Sequence, residues 1–217
     1  MKRLVAFVVA IVGLGMMLSG CVAGTTRVKD AYIEKNYIDK VKVPESKRVG
    51  DRNIKFYVGK VVDERKDKAV YVKRIGLGIG VGDTEFANTE LTIRHITEKA
   101  LFNTGWGVVK NENKADFVVE TELKDFMVHW GTFLSPKITE SNICILDKNG
   151  KNVLKRKIYK ETKALAYPDM TAEWKYVVGD MSVQYYTALI DYFSSPEFVK
   201  AIKRAYREEN DDSTISR

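Results

Sequence analysis

In the first part of the chain, apolar and polar residues alternate with a period of two, the period of a half-buried β-strand, from Ile54 to Val62 and from Ala115 to Val128. Trp106 to Lys110 is a short apolar run that is also typical of a strand. Within the run from Ala115 to Val128 the apolar residues move to the other face near Lys124-Asp125, which predicts a β-bulge. The pattern therefore predicts three strands, one of them irregular.

Two further alternating runs predict a β-hairpin. Ile138 to Leu146 and Val153 to Thr162 flank the dipeptide Asn149-Gly150. Asn and Gly tolerate the positive φ angles that a tight hairpin turn requires. The two runs are therefore expected to pair as antiparallel neighbours.

The period changes to that of a helix in three segments. Between Thr84 and Thr104 the apolar residues fall on one stripe, and Gly105 follows where a C-terminal cap is expected. Asp180 to Phe193 has a wide apolar face, and Ser195-Pro196 is typical of the start of another helix. This order predicts an α+β fold, with a mostly antiparallel sheet of about five strands and helices packed on one face.

The first twenty residues have the three-part layout of a secretory signal peptide. A basic start, Met1-Lys2-Arg3, precedes an apolar run from Leu4 to Leu18 and the small residues Ser19-Gly20. The apolar run has about 15 residues, too few to cross a hydrocarbon core ~30 Å thick as a helix. We therefore expect residues 1–20 to be removed.

The tetrapeptide Leu18-Ser19-Gly20-Cys21 resembles the lipobox of bacterial lipoproteins. The resemblance implies cleavage between Gly20 and Cys21, a diacylglyceryl group on the Cys21 thiol and an acyl chain on its amino group. Two or three acyl chains hold a protein on a membrane, because each buried CH₂ contributes ~0.8 kcal/mol. Val22 stands where an Asp usually retains enteric lipoproteins in the inner membrane, which implies the periplasmic face of the outer membrane. The alternative is an ordinary signal peptide followed by an incidental cysteine.

The rest of the chain is expected to divide into a polar segment and one folded domain. Residues 21–52 are interpreted as the lipidated N-terminus and a tether, whose basic residues either contact anionic headgroups or are simply solvated. Ala31 to Val43 could instead dock as an edge strand. Residues 53–217 are predicted to form a single periplasmic α+β domain.

Composition limits the classes of protein that fit. The chain is 45% hydrophobic and 30% charged, an ordinary globular balance that excludes a disordered chain and a polytopic membrane protein. Removal of Lys2 and Arg3 lowers the formal charge from +7 to +5, and no nucleic-acid module accompanies this basic balance. Once Cys21 is lipidated, Cys144 is the one remaining thiol, and it cannot form an internal disulfide.

Residue types that serve catalysis or metal binding are scarce. The two histidines, His95 and His129, lack a ligand spacing and are interpreted as structural. The sequence therefore predicts no catalytic, metal or cofactor site, and the protein is not expected to be an enzyme.

Two features are candidate surfaces for a partner or ligand. Between Gly76 and Gly82, three apolar residues alternate with glycines and would point one way on a loop or glycine-rich strand: Leu77, Ile79 and Val81. This strip is either core or a small apolar surface, and its spacing does not fit a Gly-x-Gly-x-x-Gly nucleotide loop. Asp63 and Arg65 form either a surface ion pair, contributing under about 1 kcal/mol, or a partner contact.

From residue 54 to about residue 205 the chain resembles the YajG-like family of bacterial lipoproteins. The shared motifs are Val62-Asp63-Glu64-Arg65 at a strand end, Ile75-Gly76, Leu101 to Val108 at a helix end, Ala115 to Val119 at a strand start, and the Asn149-Gly150 hairpin. The resemblance implies a domain without catalytic residues. Auxiliary lipoproteins of ABC-type transporters and outer-membrane assembly lipoproteins share some of these motifs.

The sequence thus predicts an outer-membrane-anchored periplasmic lipoprotein that acts by binding, as an accessory or assembly factor with an envelope protein partner. One alternative is an auxiliary lipoprotein of an ABC-type transport system. Another is a module that binds lipid, glycan or peptidoglycan in a groove lined by Gly76 to Gly82 and the tyrosines Tyr185, Tyr186 and Tyr192.

Overall fold

The computed structural model describes residues 25–75, 79–129, 134–165 and 174–215. These residues form eight strands and four α-helices in the order β1 (Thr25–Val28), α1 (Asp30–Asn36), β2 (Lys55–Asp63), β3 (Tyr71–Ile75), β4 (Ile79–Phe86), α2 (Thr89–Asn103), β5 (Gly107–Val108), β6 (Phe117–Val128), β7 (Leu134–Asp147), β8 (Asn152–Leu165), α3 (Trp174–Phe193) and α4 (Pro196–Ile215). Short 3-10 turns occur at Ile38–Lys40, Glu45–Lys47 and Glu112–Lys114.

All eight strands belong to one mixed sheet with β6 at its centre. One edge of β6 pairs antiparallel with β7 along its whole length. The other edge pairs in parallel with β2 through its first half, and with β3 at its end, where Tyr71 lies opposite Val128. β8 extends the sheet beyond β7, whereas β4 and then β1 extend it beyond β3. β5 pairs with the start of β2.

The predicted α+β class is confirmed, but the expectation of about five mostly antiparallel strands is wrong. β1 and β3 span four and five residues, too few to show a clear alternation in the sequence. Four of the seven strand pairings are parallel. Parallel pairing joins segments that are distant along the chain, so no local turn signal announces it.

Several local predictions are confirmed. The register between β6 and β7 shifts between Leu123 and Asp125, at the predicted bulge. Gly150 has a φ of +76° in the turn between β7 and β8. The backbone N–H of Phe198 donates to Ser195 Oγ at 3.2 Å, which caps α4 as the Ser-Pro pair predicts.

The helix predicted over Thr84 to Thr104 begins later than expected. Thr84 to Phe86 belong to β4, and α2 starts after Asn88, whose side chain accepts a hydrogen bond of 2.9 Å from the backbone N–H of Leu91. An Asn in this position satisfies one of the unpaired donors of the first helical turn. The Asn88 cap therefore marks the first residue of α2, whereas the spacing of the apolar residues does not.

The segment predicted as a tether is instead part of the fold from Thr25 onward. Val28 on β1, Ile33 on α1 and Ile38 after it are at most 3% exposed and belong to the hydrophobic core. The backbone N–H of Gly50 donates to Thr104 O at 2.9 Å. This segment does contribute an edge strand, β1, but the residues from Ala31 to Val43 that were expected in that role include most of α1 and a 3-10 turn. The fold therefore includes Thr25, 28 residues before the predicted boundary at residue 53.

The core lies between one face of the sheet and the helices α2, α3 and α4. Alternate residues of β6, including Phe117, Val119 and Leu123, are fully buried, whereas the intervening residues such as Glu120 and Glu122 are partly exposed. Four aromatic rings pack together at the start of β2 with centroid separations between 5.4 and 6.1 Å: Phe56, Trp106, Phe117 and Phe198.

Candidate functional site

Asp63 and Arg65 form a buried, two-pronged ion pair where β2 ends. Arg65 Nε donates to Asp63 Oδ1 and Arg65 Nη2 donates to Asp63 Oδ2, both at 2.9 Å. The guanidinium also donates to the backbone oxygen of Phe126 at 3.2 Å and to Thr89 Oγ1 at 3.3 Å. One side chain thereby connects the end of β2, the middle of the sheet and the start of α2.

This ion pair is not an exposed surface. The side chain of Arg65 is 2% exposed and that of Asp63 is 10% exposed, so neither of the two surface interpretations of the pair is correct. Burial raises the pKa of Asp63, but the hydrogen bonds and charge of Arg65 outweigh it and hold the pKa below its usual 3.8. The pair therefore stabilises the fold rather than presenting charge to a partner.

The glycine-rich strip is located only in part. Ile79 and Val81 lie in β4, which confirms a strand rather than a loop from residue 79, and Ile79 pairs with Ile75 of β3. Leu77 lies outside the described residues, as do the side chains of Ile79 and Val81. The backbone places the described part of the strip, residues 79–82, next to the connection between β3 and β4.

The tyrosines proposed to line a ligand groove are core residues. Tyr185 and Tyr186 are fully buried, and Tyr192 is 8% exposed. The Tyr185 hydroxyl lies 3.1 Å from Ser141 Oγ, and burial raises the pKa of Tyr185 to about 12. Asn103 Nδ2 donates to the Tyr186 hydroxyl at 2.6 Å. The groove predicted between these rings and Gly76 to Gly82 is therefore wrong.

Each histidine lies beside a carboxylate, and the free thiol of Cys144 is partly buried. His95 Nδ1 lies 3.0 Å from a carboxylate oxygen of Asp30, and His129 Nε2 lies 2.8 Å from one of Asp125. Burial raises the pKa of the Cys144 thiol, which lowers the fraction of reactive thiolate. Within the described ranges, no group of three or more His, Cys, Asp or Glu side chains could hold a metal ion.

A basic surface that the sequence did not predict lies along β8. We call it the basic edge and define it as residues 151–163, which belong to β8 and the turn before it. Six of its 13 residues are basic and one is acidic: Lys151, Lys155, Arg156, Lys157, Lys160 and Lys163 against Glu161. In the described part of the chain β8 pairs with β7 alone, so its outer side is a sheet edge. The density of lysines is visible in the sequence, but only the topology shows that they line an edge.

The basic edge keeps much of its charge accessible. Lys157 pairs with Glu140 of β7 at 2.8 Å, and Arg156 pairs with Glu197 of α4 at 3.2 Å. The side chains of Lys155, Lys160 and Lys163 are exposed. Tyr159 is 48% exposed in the middle of the same strand. Lysines on an edge strand discourage pairing with another copy, and they also attract an acidic segment that brings its own backbone hydrogen bonds.

Comparison with known proteins supports the fold. No protein-family model matches the sequence, and no curated protein matches it either. Protein XCC0632 from Xanthomonas campestris, of the family DUF330, superposes with a TM-score of 0.51 over 77% of this chain and 94% of its own, at 11% identity. At that identity the likeness shows a shared fold and nothing about activity.

Two further structural neighbours are more distant. An uncharacterised protein gives a TM-score of 0.49 with 13% identity, over 66% of this chain and 95% of its own. Lipoprotein GNA1162 from Neisseria meningitidis gives 0.36 with 10% identity, over 57% of this chain and 89% of its own. None of these three neighbours is described as a YajG-like protein, so the resemblance to that family stays a prediction.

None of the described helices is both long and apolar enough to span a bilayer.

Proposed function

We propose that the protein is a lipoprotein anchored through Cys21 to the periplasmic face of the outer membrane, where it acts by binding as an accessory or assembly factor. The observation that carries the proposal is the lipobox-like Leu18-Ser19-Gly20-Cys21 followed, four residues later, by the first strand of the domain. Cleavage before Cys21 leaves β1 and the rest of the fold complete. Val22, in place of Asp, favours the outer membrane.

A binding role is supported by what the fold exposes. The buried rings and the Asp63–Arg65 pair serve the core, whereas the basic edge offers accessible charge and, in the described part of the chain, an outer side that pairs with no other strand. One backbone oxygen of this edge, that of Lys160, already accepts a hydrogen bond from Gln184 Nε2 at 2.9 Å. An extended acidic segment of an envelope protein would gain both backbone hydrogen bonds and opposite charge there. The YajG-like resemblance and the alternative of an auxiliary lipoprotein of an ABC-type transport system both fit such a role, and they differ in which protein is bound.

The anchor is tested by comparing the two cysteines of the chain. Cells expressing wild type, Cys21→Ser or Cys144→Ser are fed an alkyne-labelled palmitate, and the membranes are fractionated by density. Wild type and Cys144→Ser should carry the label and fractionate with the outer membrane, whereas Cys21→Ser should be unlabelled and unprocessed. A Cys21→Ser chain that is still cut after Gly20 and still membrane-bound would contradict the anchor.

The binding surface is tested by photo-crosslinking in intact cells. A photoreactive residue in place of Tyr159 should give an adduct with one envelope protein, and the pair Lys155→Glu and Lys160→Glu should lower its yield. The matched control is a photoreactive residue in place of Leu91, which is 37% exposed on α2. Equal adducts from both positions, or adducts with lipid or peptidoglycan alone, would contradict a protein partner at the basic edge.

A further inference from the structure

A groove of about 310 Å³ runs beside the basic edge, between β8 and the helices. One wall is β8 from Arg156 to Lys160, and the other is formed by residues of α3, α4 and the turn between them: Ala188, Asp191, Tyr192, Ser195 and Glu197. This volume is at the lower limit of the ~300–1,000 Å³ that is typical of small-molecule sites. The groove therefore has room for a few side chains.

The alternation of β8 determines which of its side chains face the groove. Ile158 is 6% exposed and belongs to the core under the helices. Because successive side chains of a strand point to opposite faces, Arg156 and Lys160 share the face of Ile158, whereas Lys155 lies on the other face. Arg156 and Lys160 are about 13 Å apart along the strand. A segment that added to this edge would present three alternate side chains to the groove.

The charges along the groove are paired except at one end. Three ion pairs involve its lining residues: Arg156 with Glu197 at 3.2 Å, Asp191 with Lys47 at 2.9 Å, and Lys157 with Glu140 at 2.8 Å. Among the described residues Lys160 forms no ion pair, and its side chain is exposed. The backbone oxygen of Lys160 is bonded to Gln184, so an added strand would end here. A carboxylate at the end of that strand would meet an uncompensated ammonium group.

The other end of the groove holds a buried hydroxyl without a partner. Tyr192 is 8% exposed, and its hydroxyl makes no hydrogen bond within the described part of the chain. Burial raises the pKa of Tyr192, and the charges of Glu197 and Arg156 act on it as well, which places the hydroxyl beside their ion pair. These two side chains are 61% and 54% exposed, so they are free to turn outward. Since buried polar groups are nearly always hydrogen-bonded, this hydroxyl indicates a missing partner.

We propose that the groove recognises the side chains of an extended protein segment that adds to β8. It binds a carboxylate at Lys160, an apolar side chain at Ile158 and an amide at the Tyr192 hydroxyl. The inference rests on the proposed function, in which an envelope protein binds the basic edge, and it specifies the sequence pattern of that protein. In strand addition the backbone hydrogen bonds give affinity, and pockets for alternate side chains give specificity.

The test measures how labelled peptides bind to the full chain, expressed with its leader and purified in detergent. In the first peptide glutamate, valine and glutamine alternate with threonine. The second has the reverse order, because a strand can add in either direction. The third has the same composition with the glutamate, valine and glutamine adjacent, so that they cannot all face the groove. The fourth has valine in place of the glutamine. Fluorescence anisotropy gives each Kd.

One of the first two peptides should bind about fivefold more tightly than the third, the difference that one lost hydrogen bond makes. Lys160→Ala should remove this preference. The matched control is Lys155→Ala, on the other face of the same strand, which should weaken all the peptides alike because it changes only the overall charge.

Tyr192→Phe should weaken the glutamine peptide about 3- to 10-fold and leave the valine peptide unchanged. The free protein should be at least as stable as wild type, because the hydroxyl that is removed has no partner. The matched control is Tyr185→Phe, whose lost hydroxyl lies 3.1 Å from Ser141 Oγ. This variant should be less stable and should bind all the peptides as wild type does.

Two results would overturn the groove and leave the proposed binding at the basic edge intact. In one, the third peptide binds as tightly as the first two, so that charge alone attracts the segment. In the other, Tyr192→Phe weakens the glutamine and valine peptides equally. If no peptide binds but a photoreactive residue at Tyr159 still captures one envelope protein, the groove is likewise excluded. Loss of that adduct as well would contradict the proposed function itself.

Discussion

The ring of Tyr37 lies so close to Gly179 of α3 that a Cβ on residue 179 would come within 2.3 Å of it. Tyr37 follows α1, in the segment where the sequence predicted a tether. The contact therefore holds the N-terminal segment against α3.

Gly179→Ala should destabilise the fold and loosen the N-terminal segment. Real Cβ contacts are never this short, so the Tyr37 ring must move, and overpacking of this kind costs about 1 to 3 kcal/mol. Urea denaturation measures the loss, and limited proteolysis should show new cleavage within residues 25–52. Adding Tyr37→Ala should restore part of the stability, since it removes the ring that the new methyl group meets. A Gly179→Ala protein as stable as wild type would contradict the packing.

Arg65→Ala should lower the free energy of unfolding by about 3 kcal/mol, because it removes the two hydrogen bonds that Arg65 donates to the buried Asp63 carboxylate and leaves it only the half-exposed Lys68, 3.3 Å away, as a counter-charge. The matched control is Arg204→Ala, which removes an arginine paired with Glu208 on the exposed side of α4. The control should have no measurable effect in the same urea titration. If the two variants were equally stable, the buried pair would not hold β2, β6 and α2 together.

The stability contributed by Asp63 should depend on pH in a defined direction. Its pKa in the folded protein lies below the ordinary 3.8, so the contribution is complete above about pH 4 and is lost as the pH falls through the folded-state pKa. The difference in unfolding free energy between wild type and Asp63→Asn should therefore be constant near pH ~7 and shrink in strong acid. Other carboxylates titrate in both proteins and cancel in the difference. A difference that grew on acidification would contradict the assigned shift.

Gly150→Ala should cost about 1 kcal/mol through the backbone alone, because residue 150 has a positive φ that a Cβ disfavours. No atom lies within 4 Å of a Cβ built there, so no steric clash contributes. Gly150→Asn should recover most of the loss, since Asn tolerates this conformation. Thermal or urea unfolding of the two variants distinguishes backbone strain from packing, and equal losses for Ala and Asn would contradict the turn.

The sequence shows the high density of basic residues between Lys151 and Lys163, but it does not show that they lie on an outer strand of the sheet. Lys155 and Lys160 could equally have lain on a central strand whose neighbours balance them. Among the described strands β8 pairs with β7 alone, and this pairing places the two lysines on an edge. For Asp63 and Arg65 the sequence favoured exposure, because charged residues two positions apart are typical of a surface ion pair, but both side chains are buried. Their burial follows from Phe126 and Thr89, which lie 61 and 24 residues away from Arg65.

What the sequence determined by itself was local: the alternation of β6, its bulge near Asp125, the turn at Gly150, the cap at Ser195 and the lipobox-like motif before Val22. Each of these depends on the conformational preferences of a few adjacent residues, so the pattern alone predicts it. The tertiary structure decided the parallel pairings, the packing of the segment from Thr25 to residue 52, and the groove between β8 and α3. These features depend on which distant segments bury their apolar surfaces against each other and in which strand register. The free energy gained by that burial belongs to the segments together, and the sequence of one segment does not indicate its partner.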